Sequence, residues 1–115
     1  MASPKLSNYL RTHRKRIGLS QDEVAFLLGW IDAAQLSRYE HFSQVPELGT
    51  ALSLAVIFQT SVRELFAGEY QKVETAVCQQ AQRLAARLAM DVPDQATAHK
   101  LDVLKIIVSA NDDHS

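Results

Sequence analysis

Apolar positions at helical spacing run along the chain and predict a mostly helical fold. The first stripe predicts a helix over residues 5–16, and it consists of Leu6, Leu10, His13 and Ile17. Gly18 comes directly after Ile17 and a run of three basic residues, Arg14 to Arg16, an arrangement typical of the end of a helix. Only four Gly and three Pro interrupt the 115 residues, and few segments alternate between apolar and polar positions, so strands are not predicted.

Two short helices joined by a tight turn are predicted next. Ser20 and Glu23 have the spacing of a capping box, which predicts the start of the second helix. Gly29 ends that helix, and Asp32 is the candidate N-cap of a third helix over about residues 33–41. The apolar stripe of the second helix consists of Val24, Ala25 and Leu28.

A fourth and a fifth helix complete the first part of the chain. Pro46 and Glu47 open the fourth helix, and a second capping-box pattern at residues 61–64 opens a short fifth one. The expected stripe of the fourth helix is Leu48, Leu52, Ala55 and Phe58 or Gln59. The fifth helix is expected to bury Val62, Leu65 and Phe66. We therefore predict a five-helix domain over residues 5–67.

Two further helices are predicted after Gly68, which we interpret as the internal boundary of the chain. Residues 69–90 contain neither Gly nor Pro, residues 91–94 interrupt the pattern, and residues 95–109 form the last predicted helix. The long helix carries a heptad seam at Tyr70, Val73, Val77, Ala81, Leu84 and Leu88. The last helix places on one side Ala98, Leu101, Leu104, Ile107 and Val108. These helices form a predicted two-helix appendage over residues 69–109.

Composition and charge narrow the class of protein. Hydrophobic residues make up 47% of the chain, so a folded core is expected, and the net charge of −1 does not indicate a polyanionic partner. One Cys excludes a disulfide framework. No run of 18 apolar residues and no apolar signal segment is present, so we expect a soluble, cytoplasmic protein without a membrane partner. The charge is uneven, however, because residues 5–16 contain five basic residues and no acidic one.

The second and third helices, with the turn at Gly29, have the order of a helix-turn-helix unit. At about 100° per residue, Leu36 of the third helix points inward with Tyr39 and Glu40 at its flanks. The positions that point outward are Ala34, Arg38 and His41. A helix with one face on the core and a polar face outside suits a nucleic-acid groove.

The order of these motifs resembles the XRE family of Cro/cI-type repressors over about residues 5–66. The residues that carry the resemblance are Leu10-Arg11, Arg14, Gly18 to Ala25, Leu28-Gly29, Leu36 to Glu40, Pro46 and Val62 to Phe66. The resemblance implies an all-α fold, in which a five-helix Cro/cI-type domain inserts its third helix into the major groove of double-stranded DNA.

The resemblance also implies roles for individual residues. The residues expected to read base edges are Ala33, Ala34, Gln35, Ser37 and Arg38, with Gln35 suited to adenine and Arg38 to guanine. The residues expected to contact the DNA backbone are Gln21, His41, Ser43 and Gln44. Arg14 and Glu40 are expected to pair between the first and third helices, and as a surface pair they would contribute ~0–1 kcal/mol.

Three departures from the family pattern concern the proposed DNA face. The turn from Gly29 to Glu40 is one residue longer than the commonest family spacing, and it contains the bulky Trp30, which we interpret as a packing residue. The loop at residues 41–45 contains neither Lys nor Arg. Asp32 adds negative charge nearby, so we expect weak binding to the phosphates of DNA.

The heptad seam allows two interpretations, since it can fold back on the five-helix domain or pair with a second chain. We favour a homodimer through residues 69–109, which predicts a palindromic DNA site. Cys78 lies beside the seam and is expected to be a small buried hydrophobe.

No metal, cofactor or enzymatic activity is expected, because the four His share no ligand spacing and no catalytic motif is present. The sequence therefore predicts a transcriptional regulator, most simply a repressor. The alternative is a protein-interaction module or antitoxin-type protein that keeps the helix-turn-helix fold and binds a partner protein.

Overall fold

The regular structure of the chain is helical throughout the part that can be described. The computed structural model describes residues 5–90 and 94–112, and every regular element in these ranges is an α-helix, as predicted. The helices are α1 Leu10–Ile17, α2 Gln21–Leu27, α3 Ala34–Glu40, α4 Leu48–Phe58, α5 Val62–Leu65, α6 Ala67–Leu88 and α7 Gln95–Asp112. Of the predicted interruption at residues 91–94, only Asp94 lies inside the described ranges. Its carboxylate accepts a hydrogen bond from Thr97 N at 2.7 Å and caps α7.

Two compact units divide the chain, one ending at Tyr70 and the other beginning at Gln71. Helices α1 to α5 all contribute to the core of the first unit. The buried residues of this core are Leu10, Val24, Leu36, Tyr39, Ala51, Leu54, Phe58, Leu65 and Phe66. Partly buried apolar residues that pack against it are Leu19, Leu28, Trp30, Ile57 and Val62.

Helix α1 begins at Leu10, so the predicted start at residue 5 is wrong. The reason is Asn8, which is 5% exposed. Its Oδ1 accepts a hydrogen bond from Leu10 N at 3.1 Å, and its Nδ2 donates to the Tyr39 carbonyl at 2.8 Å. Tyr9 N donates to the Leu65 carbonyl at 2.8 Å. The segment before α1 is therefore tied to α3 and α5 instead of continuing the helix.

The structure of α2 and of the turn after it agrees closely with what the local sequence predicts. The predicted capping box is present, with Ser20 N donating to Glu23 Oε1 at 2.8 Å and Glu23 N donating to Ser20 Oγ at 3.0 Å. Gly29 has a φ of +79°, a left-handed conformation that suits a residue without a Cβ atom. Asp32 Oδ1 accepts from Ala34 N at 2.9 Å, and α3 begins at Ala34, one residue later than predicted.

Helix α4 buries a face that includes Phe58 of the predicted stripe but excludes its two leucines. Leu48 and Leu52 are 72% and 51% exposed, whereas Ala51, Leu54 and Phe58 are buried. The sequence of α4 contains no charged residue, so apolar side chains lie on every face and their spacing alone does not identify the buried one. The predicted cap of α5 is present, because Ser61 Oγ accepts from Glu64 N at 3.0 Å.

Gly68 lies within α6 and does not precede it, because the helix begins at Ala67. Gly68 N donates to the Leu6 carbonyl at 2.8 Å. A Cβ atom at this position would lie 2.2 Å from Leu6 O and 2.9 Å from Lys5 O. The glycine that we interpreted as a boundary is therefore required by the close approach of the segment before α1.

The predicted heptad seam of α6 is divided between buried and exposed residues. Cys78 and Ala81 are buried, as is Leu104 of α7, so the small buried role predicted for Cys78 is confirmed. The half-buried apolar residues are Ala85, Leu88, Leu101, Ile107 and Val108. The exposed seam residues are Tyr70, Val73, Val77 and Leu84. Ala98, predicted on the apolar side of α7, is exposed.

Candidate nucleic-acid interface

Arg14 and Glu40 form a two-point ion pair between α1 and α3. Arg14 Nε donates to Glu40 Oε2 at 2.7 Å, and Arg14 Nη2 donates to Glu40 Oε1 at 3.1 Å. Arg14 Nη1 also donates to the Leu19 carbonyl at 3.1 Å. The Arg14 and Glu40 side chains are only 12% and 2% exposed. The value of a surface pair therefore does not apply, and the loss of either partner would leave the other one buried.

Gln21, the first residue of α2, belongs to the same cluster. Its Nε2 donates to Glu40 Oε1 at 3.0 Å, so the carboxylate of Glu40 accepts hydrogen bonds from two other helices. The sequence predicts Gln21 as a contact to the DNA backbone, but did not predict this structural contact. The cluster of Arg14, Gln21 and Glu40, here called the brace, fixes the end of α3 against α1 and α2.

The brace is charged near neutral pH. Burial of Glu40 by itself disfavours ionisation, but hydrogen bonds from Arg14 and Gln21 and the positive charges of Arg14 and Arg11 outweigh it. The pKa of the Glu40 carboxyl is therefore lowered from its ordinary value. The hydrogen bond to Glu40 raises the pKa of Arg14 in turn.

Helix α3 turns one face into the core and leaves the other to solvent, as predicted. Leu36 is fully buried, and Tyr39 and Glu40 are 6% and 7% exposed. Ala34, Arg38 and His41 are exposed. The other residues expected to read bases are half-buried at the sides of the helix, and these are Ala33, Gln35 and Ser37.

A chain of hydrogen bonds joins the exposed polar side chains of α3 to the loop that follows it. Arg38 Nη1 donates to Gln35 Oε1 at 2.9 Å, and Gln35 Nε2 donates to Gln44 Oε1. Two of the residues expected to read bases are thus brought together with one that is expected to contact the DNA backbone. The three side chains form one polar surface with several N–H donors.

The loop after α3 is held by the last turn of the helix. Ser43 donates from both its N and its Oγ to the Arg38 carbonyl, each at 3.0 Å, and Phe42 N donates to the Tyr39 carbonyl at 3.1 Å. Phe42 has a φ of +66°, the left-handed conformation in which such a helix end usually has Gly. His41 Nδ1 lies 2.8 Å from the Ser37 carbonyl. The loop is therefore ordered although it contains no basic residue.

Arg11 is a residue near this loop that the sequence-based assignment omitted. Its side chain is exposed. Together with His41, Phe42 and Glu40 it lines an open pocket with a volume of about 380 Å³. The available signals were the basic run of the first helix and the expected pair of Arg14 with Glu40, which brings that helix to the end of α3. Arg11 thus supplies the positive charge that residues 41–45 lack.

The turn before α3 combines a packed aromatic residue with an exposed apolar one. Trp30 N donates to the Ala25 carbonyl at 2.9 Å, and the Trp30 ring contacts the Tyr39 ring edge-on with centroids 6.1 Å apart. The prediction of Trp30 as a packing residue is confirmed. Ile31, the next residue, is 103% exposed and makes no contribution to the core.

Neither a cluster of metal ligands nor a membrane-spanning helix occurs among the residues that the structure describes. In residues 5–90 and 94–112, no group of three His, Cys, Asp or Glu side chains converges as a metal ion would require. None of the helices in these ranges is both long and apolar enough to cross a membrane.

A comparison with models of known protein families identifies the family of the first unit. Residues 5–67 match a family model described as a helix-turn-helix domain, and the matched range contains the brace and all of α3. No curated protein and no solved structure matches the chain. A helix-turn-helix domain indicates a DNA-binding regulator. Because the match covers more than half of the 115 residues, the chain belongs to the helix-turn-helix domain family.

Proposed function

We propose that the protein is a sequence-specific transcriptional regulator, acting as a repressor, that binds a palindromic operator as a homodimer. The observation that supports this most directly is the exposed polar face of α3, carried on a helix that the buried brace holds in place. Rigid support of this kind lets a few side chains discriminate between base pairs, because their positions are fixed before binding. The proposal requires no bond-making chemistry.

Arg38 and Gln35 are the proposed readers of base edges. A guanidinium carries five N–H groups, so the hydrogen bond from Arg38 to Gln35 is compatible with a paired contact to guanine O6 and N7. Gln35 has the amide that suits adenine N6 and N7. Ala33, Ala34 and Ser37 complete the proposed reading surface, and their small side chains allow α3 to approach the bases closely.

Arg11, His41, Ser43 and Gln44 are the proposed contacts to the DNA backbone on the side of the loop. The exposed guanidinium of Arg11 lies beside that loop and offsets its lack of Lys and Arg. Gln21 is proposed for the other side, although its amide already donates to Glu40. Substitution of Gln21 is therefore expected to affect both folding stability and DNA affinity.

The exposed strip of α6 is the proposed homodimer contact. Val73, Val77 and Leu84 are 61%, 47% and 41% exposed, and they lie at heptad spacing beside the buried strip of the same helix. Tyr70 continues the strip, with the Arg63 guanidinium 4.9 Å from its ring centroid. Of the residues predicted at this contact, Ala81 and Leu104 are already buried within one chain, and Leu88, Leu101, Ile107 and Val108 are half-buried. A two-fold dimer would place two α3 helices one DNA turn apart, about 34 Å.

The test is selection of preferred duplexes from a random DNA pool, followed by affinity measurements on the selected and scrambled sequences. Arg38→Ala should cost about 1–3 kcal/mol of binding free energy and relax the preference at one base pair. Arg87→Ala changes another exposed Arg, in the second unit, and is the matched control. It should leave the binding free energy and the base-pair preference unchanged. Equal affinity of the wild-type protein for selected and scrambled DNA would contradict the proposal.

One observation favours a second candidate function, a module that binds a partner protein. Phe26 and Leu27 on α2 are 81% and 56% exposed, and Asp22 and Glu23 lie on the same helix. Salt dependence separates the two functions. Each phosphate contact contributes about 0.9 to the slope of log affinity against log salt, so DNA binding by several contacts gives a steep slope. A flat slope on DNA, with an affinity for a partner protein that Phe26→Ala abolishes, would favour the second function.

A further inference from the structure

Ile31 is a large apolar side chain in a position where folding does not need it. Its exposure of 103% is the highest among the exposed large hydrophobic residues of the described ranges. It lies in the turn between α2 and α3, three positions before the first residue of α3. Ile31 also lines the same open concave surface as Gln35, one of the proposed base readers. It therefore stands at the edge of the proposed reading surface.

Between Ile31 and Gln35 the chain offers two methyl side chains and one hydrogen-bonding side chain, the carboxylate of Asp32. Asp32 Oδ1 is engaged with Ala34 N at 2.9 Å. Ala33 and Ala34 carry only methyl side chains, and the long polar donors of α3 begin at Gln35. The reading surface is thus divided into an apolar half at the start of α3 and a polar half toward its end. The side chains of Ile31, Ala33 and Ala34 cannot recognise a base edge by hydrogen bonds.

We propose that Ile31 recognises the 5-methyl group of a pyrimidine at the edge of each half-site, with thymine as the base that carries it. The C5-methyl of thymine is the apolar feature that a base pair presents in the major groove, and apolar side chains read it by contact. 5-Methylcytosine carries the same group on a different pairing edge, so it provides a separate source of the same chemistry. This inference rests on the proposed function, since it requires α3 to lie in the major groove.

The experiment uses the full chain and the duplex that selection yields. Each thymine is replaced in turn by deoxyuridine, which removes the methyl group and keeps the base pair. At one thymine per half-site, affinity should fall about fourfold, the effect of one methyl group that is no longer buried. Replacement in both half-sites should give roughly the square of that factor. A cytosine at the same position should bind more weakly than its 5-methyl form.

Ile31→Ala identifies the side chain that makes the contact. This variant should bind thymine and deoxyuridine duplexes with equal affinity, whereas Phe26→Ala, which also removes an exposed apolar side chain, should keep the fourfold difference. Because Ile31 is outside the core, both variants should unfold at the wild-type temperature. That measurement separates a contact to DNA from a change in folding.

The possible results separate this inference from the function on which it rests. Sequence-specific binding without any effect of deoxyuridine would overturn the methyl contact but would not contradict the proposed function as a regulator. An effect of deoxyuridine that persists in Ile31→Ala would assign the contact to another residue and would also overturn the inference. Absence of sequence-specific DNA binding by the wild-type protein would overturn the proposed function itself.

Discussion

Glu40 accepts hydrogen bonds from three nitrogen atoms on two other helices. Arg14 provides two of them from α1, and Gln21 provides the third from the start of α2. Since Glu40 is the last residue of α3, these bonds hold the end of that helix where the loop to α4 begins. The ionised carboxylate is compensated only while its partners remain, so the three residues act as a unit.

Arg14→Ala should lower the free energy of unfolding by about 3–5 kcal/mol, because it leaves the Glu40 carboxylate buried without its cation. Arg16→Ala, a change of an exposed Arg in the same helix, is the matched control and should stay within about 0.5 kcal/mol of wild type. Chemical denaturation followed by circular dichroism measures both. Similar stabilities of the two variants would show that the ion pair contributes as little as an ordinary surface pair.

The lowered pKa of Glu40 makes the stability of the first unit dependent on pH. In the native state Glu40 stays ionised below the ordinary Glu pKa of about 4.3, so the unfolded state binds more protons in this range. The stability contributed by Glu40 is therefore fully present above that value and is lost as pH falls through the lower native pKa. Denaturation midpoints measured from pH 6 to pH 3 should fall less steeply for Glu40→Gln than for wild type.

Glu23 provides the comparison for this pH experiment. Hydrogen bonds from the backbone and side chain of Ser20 lower its pKa too, but its carboxylate is exposed at the start of α2. Glu23→Gln should therefore retain most of the wild-type slope between pH 6 and pH 3. Equal slopes for wild type and Glu40→Gln would contradict the assignment of the slope to Glu40.

At the scale of the elements, hydrogen bonds between near neighbours were predictable and those between distant segments were not. The capping box of Ser20 and Glu23 spans three residues, and the inward position of Leu36 follows from helical spacing. The start of α1 depends on Asn8, whose side chain donates to Tyr39, 31 residues away. Nothing next to Asn8 in the sequence signals that partner, so the apolar stripe extended the predicted helix too far.

The same contrast between local and distant contacts decides which parts of the candidate site could be predicted from the sequence. The polar face of α3 could be predicted, because the residues of one helix fix which side is buried. The burial of Arg14 and Glu40 could not, because it depends on how α1, α2 and α3 pack together. The position of Arg11 beside the loop after α3 depends on the same packing. The predicted stripe of α4 is wrong at Leu48 and Leu52, because an uncharged helix gives no polar side from which to infer the buried one.

Gly68 allows the start of α6 to lie close to the backbone of the segment before α1. Gly68→Ala should destabilise the first unit by about 1–3 kcal/mol, because its Cβ atom would lie 2.2 Å from the Leu6 carbonyl oxygen and the backbone must shift. Gly49→Ala in α4 meets no atom within 4 Å and should stabilise the protein by roughly 0.5–1 kcal/mol through helix propensity. Thermal denaturation of both variants checks the opposite signs. Stabilisation by Gly68→Ala would show that the close approach is not required.

At the scale of the whole molecule, residues 1–66 carry a net charge of +1 and residues 67–115 carry −2. Residues 1–66 contain seven basic and six acidic side chains, and residues 67–115 contain five and seven. The modest positive charge of the DNA-binding part limits the affinity of a single subunit, because phosphate contacts supply much of the binding free energy. In the proposed homodimer, the exposed apolar strip of α6 compensates for this low affinity, since two linked subunits would bind two half-sites together.

Val77→Glu should convert the proposed homodimer to a monomer, because it introduces a charge into the centre of the exposed strip. Gln79→Glu adds the same charge to an exposed position on the opposite side of α6 and should leave the dimer intact. Analytical ultracentrifugation over a range of protein concentrations measures the mass of each variant. Affinity for a full palindrome should fall in Val77→Glu to that for a single half-site, whereas affinity for the half-site should not change. A wild-type protein that sediments as a monomer at all concentrations, or a Val77→Glu variant that still forms dimers, would exclude the α6 strip as the contact.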